Sequence, residues 1–107
     1  MAKRNRPIPE APSHLNKHAR EEWERIAEQC VERGVLNDLN RASLAVYCQY
    51  YGRWRGAEEG LARSGLLIKK ANGEVIESPL LGIANNAMDA TKRTLRELRL
   101  TFPNKVK

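Results

Sequence analysis

The chain has 107 residues, 41% apolar and 30% charged, with 19 Lys and Arg against 13 Asp and Glu and a net charge of +6. That length supports one domain with a modest core and excludes two. No apolar run is long enough to span a membrane and no charged-then-apolar opening marks a secretory signal, so an intracellular, soluble protein is expected.

The charge is unevenly spread. Residues 1–20 hold five Lys or Arg against one Glu, and residues 65–107 hold eight against four acids. Residues 21–64 hold six against eight. A polyanion would therefore meet the two ends rather than the centre. Cys30 and Cys48 stand singly with no CxxC pair, which predicts two buried free thiols.

Residues 1–13 contain Pro7, Pro9 and Pro12 and are expected to hold no helix and pack no core. Lys3, Arg4 and Arg6 make the start a flexible basic arm. Such an arm either lies along phosphates on binding or remains a tail without a role.

Asn16 predicts the N-cap of a first helix running to about Arg33, with Gly34 as its stop. Ala19, Trp23, Ile26 and Cys30 share one face of it. Glu21, Glu24, Glu28 and Glu32 line the opposite side, which would repel a phosphate backbone. A turn of about four residues then leads into a long central helix, expected from an N-cap at Asn37 to a stop at Gly65. The two helices form a helix-turn-helix-like pair, a pattern that any helical hairpin shares.

On the central helix, Leu39, Ser43, Val46, Tyr50, Trp54, Ala57 and Leu61 fall at three- and four-residue spacings and predict the buried stripe. Gly52, Gly56 and Gly60 recur every four residues away from it. Each costs about 0.5–1 kcal/mol of helix stability relative to alanine. The track marks either a frayed or kinked half-helix or the close approach of another backbone, from a second subunit.

Beyond Gly65, Leu66–Ile68 and Val75–Ile76 flank Asn72-Gly73 and predict a short β-hairpin that must lean on helices or on a neighbouring subunit. Ser78 and Pro79 restart a helix that should reach about Leu98. Leu80, Ala84, Ala87, Met88, Thr91, Leu95 and Leu98 share a face, whose small members Ala84 and Ala87 permit close packing. Lys92, Arg93, Arg96 and Arg99 form a cationic patch beside it, either a phosphate-contacting surface or a solvated helix face. The tail, 101–107, adds Lys105 and Lys107.

Chemistry is sparse. No phosphate-cradling GxxxxGK[ST] loop is present, and His14 and His18 belong to no metal-ligand set, so neither nucleotide hydrolysis nor a metal or other cofactor is expected. Trp23, Tyr50 and Trp54 fall on apolar stripes and read as core. Nothing recommends an enzyme.

Leu15-Asn16-Lys17-His18-Ala19-Arg20-Glu21-Glu22-Trp23-Glu24-Arg25-Ile26, then Gly34-Val35-Leu36-Asn37-Asp38-Leu39-Asn40-Arg41-Ala42-Ser43-Leu44, then Tyr47-Cys48, Arg53-Trp54 and Ala57, carry a resemblance. With Asn72-Gly73, Ser78-Pro79 and the Ala87–Leu98 helix in order, the chain resembles the small subunits of bacteriophage terminases over roughly residues 7–100. The resemblance implies a non-enzymatic, ring-forming DNA-packaging protein working in the host cytoplasm. Such a protein binds double-stranded viral DNA and regulates the large subunit, which carries the ATPase and nuclease.

The expected organisation is therefore a basic arm (1–13), a mainly α domain (14–100) and a basic tail (101–107). DNA contact is expected at Lys3, Arg4, Arg6, Lys17, Arg20 and Arg41, with Lys92, Arg93, Arg96 and Arg99 as the alternative. Subunit contact is expected at Gly52, Gly56, Gly60, Leu80, Ala84 and Ala87. Two other classes compete, a dimeric helix-turn-helix transcription regulator and a structural head-assembly adaptor.

Overall fold

The computed structural model describes residues 7–98. Three helices and one hairpin follow in the order α1 (Lys17–Glu32), α2 (Arg41–Ser64), β1 (Leu67–Lys69), β2 (Val75–Glu77) and α3 (Pro79–Glu97). The mainly helical class is as the sequence predicts.

Each helix end has a local cause. The Asn16 side chain accepts a hydrogen bond from the Ala19 amide at 2.9 Å, and the Ser78 hydroxyl accepts one from the Leu80 amide at 3.1 Å ahead of Pro79. Gly34 and Gly65 take the positive φ values of 78° and 84° that stop α1 and α2. The start of α2 differs from expectation by three residues, its N-cap being Asn40 rather than Asn37. Asn37 accepts from the Leu39 and Asn40 amides, and Asn40 accepts from the Asn37 amide while donating to the Val35 carbonyl. This closed Asx turn satisfies the backbone without helix, so the α1–α2 connection has eight residues, 33–40, rather than four.

α2 is the shared partner. α1 covers its first half, where Ala19, Trp23, Ile26, Ala27, Cys30 and Val31 meet Leu44, Ala45, Tyr47 and Cys48. α3 runs back along α2, with Leu80 and Ala84 against Ala57 and Leu61, and Leu95 and Leu98 reaching the α1–α2 cluster. Burial holds the Cys30 thiol above its ordinary pKa and pushes Cys48 up to about 12, so both remain protonated free thiols.

The buried faces of α2 and α3 are not those that the apolar spacing selects. Leu39 is 96% exposed and Val46 49%, whereas Leu44, Tyr47 and Cys48 are buried. The predicted stripe is covered only at its far end, Ala57 and Leu61, because α3 crosses there. On α3, Met88 is exposed and the packed face is Ala84, Ala87, Ala90, Thr91 and Thr94. Both threonines donate their hydroxyls to carbonyls four residues back, 2.7 Å and 2.9 Å away, which satisfies them and makes the face thin enough for close packing.

Two polar contacts lock α1 to α2. Glu22, 2% exposed, accepts from the Tyr47 hydroxyl at 2.5 Å and takes both prongs of Arg25 at 2.7 and 2.8 Å. Burial first and this bond second raise the Tyr47 pKa, so its hydroxyl stays a donor. Nearer the start of α1, His18 Nε2 lies 3.0 Å from Glu59 of α2. The hydrogen bond from His18 holds the Glu59 carboxyl below its usual range.

The glycine track closes within the subunit. A Cβ at Gly52 would stand 2.5 Å from Asn16 Oδ1 and 2.8 Å from the Ala19 backbone nitrogen, and one at Gly60 would meet Leu80 at 2.6 Å. These close approaches come from α1 and α3 of the same chain, so Gly52 and Gly60 are unavailable to a second subunit. Only Gly56 faces open space. Ala84 and Ala87 are likewise buried, and Leu80 is half-buried against Gly60, so these three hold α3 on α2 rather than forming a free surface.

Urea unfolding distinguishes the two kinds of glycine: Gly52→Ala should lose about 1–3 kcal/mol by forcing α1 away, while Gly56→Ala should gain about 0.5–1 kcal/mol. Because the Glu59 carboxyl is depressed in the fold, its contribution is present above the ordinary carboxylate value of 4.5 and lost as pH falls below it. In a pH series of unfolding curves, His18→Leu should make that acid-side decline shallower.

Candidate nucleic-acid interface

The structure sorts the cations by what already occupies them. Arg20 donates to the Pro12 and Ser13 carbonyls, and Arg41 Nε donates to the Glu10 carbonyl at 2.9 Å. Lys17 pairs with Glu21 at 3.4 Å and shares its helix face with that acid. Of these three, expected at the DNA, Arg20 and Arg41 are tied into the subunit's own scaffold, while Lys17 stays exposed beside Glu21. What Arg20 and Arg41 hold is the stretch that proline content excluded from the core. Residues 7–13 lie extended on the domain, with Ile8 and Ala11 packed on the α1–α2 cluster and the Trp23 indole donating to the Pro9 carbonyl at 3.2 Å. Proline cannot continue a helix, but its carbonyl is a good acceptor, and two side chains, Arg20 and Trp23, use proline carbonyls here.

Lys92, Arg93 and Arg96 are exposed and make no ion pair or hydrogen bond among the described residues. At 100° per residue, Lys92 and Arg96 lie on the side of α3 opposite Ala87 and Thr94, so packing against α2 turns them outward. Asn85 and Asn86 are exposed about two turns earlier and bring side-chain amides to the same helix. Asp89 is the acid within it and Glu97 stands at its end.

One neighbour could not be found from spacing. Arg33, exposed at the C-cap of α1, lines a small polar pocket of about 130 Å³ with Arg25, Gln29, Tyr47 and Leu95 of α3. Leu95 precedes Arg96, so the end of α1 adds a cation beside the last turn of α3. No sequence signal joins residues 63 positions apart; only the return of α3 along α2 does. Lys3, Arg4, Arg6, Arg99, Lys105 and Lys107 lie outside the described residues.

The acidic face of α1 stands as expected, with Glu21, Glu24, Glu28 and Glu32 all exposed. The domain therefore has a negative α1 surface and a positive α3 surface. α2, which a helix-turn-helix would present to a groove, is packed between the other helices. Its uncovered stretch forms an apolar groove of about 340 Å³ lined by Pro12, Ala45, Val46, Tyr50 and Arg53. Among the described residues no three His, Cys, Asp or Glu side chains are grouped to hold a metal ion, and no helix is long and apolar enough to cross a membrane.

With this architecture in view, comparison with known proteins is informative. A family model described as phage terminase, small subunit, matches residues 19–105, most of the chain. The protein belongs to the phage terminase small-subunit family, and its role lies in the packaging of phage DNA. No curated protein and no solved structure gives a significant match.

Arg41→Ala separates scaffold from interface. It should speed protease cleavage within residues 7–13 several-fold while leaving the affinity for duplex DNA and its salt dependence unchanged.

Proposed function

We propose that this chain is the DNA-recognising, non-enzymatic small subunit of a phage packaging motor, acting in the host cytoplasm. Copies assemble into a ring, the ring holds viral duplex DNA, and the assembly regulates the large subunit that carries the ATPase and nuclease. The observation that carries the DNA contact is the set Lys92, Arg93 and Arg96, exposed on α3 and unpaired among the described residues, with Arg33 sharing a pocket with Leu95 of the same helix.

Each phosphate neutralised releases counterions, so affinity comes from charges free to leave water for the backbone. Cations already bonded to carbonyls or carboxylates gain less. Three or four contacts per subunit are weak singly, and a ring multiplies them through effective concentration. The basic arm, with Lys3, Arg4 and Arg6, would add contacts of the same non-specific kind, whereas the acidic α1 surface would point away from the duplex.

A fluorescence-anisotropy titration across salt tests the assignment. Changing Lys92, Arg93 and Arg96 together to Ala should weaken binding to all duplex sequences and lower the slope of log affinity against log salt by about 0.9 for each contact removed. Unchanged affinity and slope would return the interface to the arm. A protein that forms rings yet ignores DNA at low salt would be a head-assembly adaptor. A dimer reading two half-sites would be a transcription regulator.

A further inference from the structure

Among the described residues, the hairpin leaves its outer backbone groups without a hydrogen-bonding strand beside them. Its register pairs Leu67 with Glu77, Ile68 with Ile76 and Lys69 with Val75. Flanking bonds run from Ser78 N–H to the Leu66 carbonyl and from Lys70 N–H to the Glu74 carbonyl, both 2.7 Å. In an antiparallel ladder bonded and non-bonded pairs alternate. The amides and carbonyls of Leu67 and Lys69 therefore point outward along the β1 edge, and those of Val75 and Glu77 along the β2 edge. Among the described residues the sheet has two strands, and no third strand covers either edge.

The side chains repeat this asymmetry. Leu67 and Val75 are 63% and 56% exposed, while Ile68 and Ile76 on the other face are half-buried. Lys69 on β1 and Glu77 on β2 are exposed and take no ion-pair partner among the described residues. One edge is thus apolar and basic, and the other is apolar and acidic. An open apolar edge is an aggregation hazard unless it has an intended partner, and opposite charges on matched edges choose that partner.

We propose that β1 of one copy pairs edge to edge with β2 of the next copy, so that the hairpin is the joint between subunits. Antiparallel pairing in the hairpin's own register sets Leu67 opposite Glu77 and Lys69 opposite Val75 across the joint, with Leu67–Val75 and Lys69–Glu77 as diagonal neighbours on one face. Each copy uses two different edges, a head-to-tail contact that propagates and closes if the rotation allows. Neighbouring strands would also relieve the marginal stability of a lone two-stranded hairpin. This inference rests on the reading of the chain as self-assembling.

The test uses the full chain, with native mass spectrometry and sedimentation. Lys69→Glu and Glu77→Lys should each assemble at least tenfold more weakly than wild type, with unchanged thermal unfolding of the separated subunit. An equimolar mixture of the two should assemble again, since alternating copies then oppose unlike charges at every joint. A change confined to the hairpin's own fold cannot be repaired by mixing. If wild type assembles and both variants match it, or if the mixture stays apart, edge pairing is overturned while self-assembly stands. If wild type is a lone subunit at every concentration, with and without DNA, the self-assembly reading fails and the joint with it.

Discussion

The approach of α1 to α2 at Gly52 is the contact on which the architecture depends. A side chain there would collide with the cap of α1, because the Asn16 side chain and the Ala19 backbone stand within 3 Å of where a Cβ would sit. With that distance set, Glu22 comes within reach of Tyr47, His18 of Glu59, and the apolar face of α1 closes over Leu44, Tyr47 and Cys48. A buried carboxylate is tolerable only when its oxygens are bonded, and Tyr47 and Arg25 supply those bonds. Close helix packing and satisfaction of a buried charge are therefore one event.

The same economy of side chains governs α3. Alanines and back-bonded threonines make its inner face thin, so it lies along α2 with its charged residues turned to solvent. α1, by contrast, puts its acids outward. A small domain thus separates charge by helix, negative on one side and positive on the other. Cations divide into two populations. Arg20 and Arg41 are consumed by the carbonyls of residues 7–13, while Lys92, Arg93 and Arg96 remain unpaired among the described residues.

Much of this was legible from residues alone. Capping by Asn16 and Ser78, the stops at Gly34 and Gly65, and the turn at Asn72-Gly73 are local chemistry acting over a few residues, and each stands where it was expected. The inner face of α1 was legible too, since one partner covers it. The face of α2 was not. The spacing picked out the stripe through Val46 and Tyr50, whereas α1 covers a different apolar stripe, through Leu44 and Cys48. The start of α2 also escaped, because an asparagine side chain caps a helix and closes a turn with the same bonds.

The order and type of the elements, their ends apart from the start of α2, the net positive charge and the family were determined by the sequence itself, because helix caps, turn residues and residue order are properties of short stretches. Which glycines are filled, which arginines are spent on backbone carbonyls, and that Arg33 and Leu95 line one pocket were decided by tertiary structure. Those facts depend on distances between residues remote along the chain. Such distances exist only once α1 and α3 have both closed on α2.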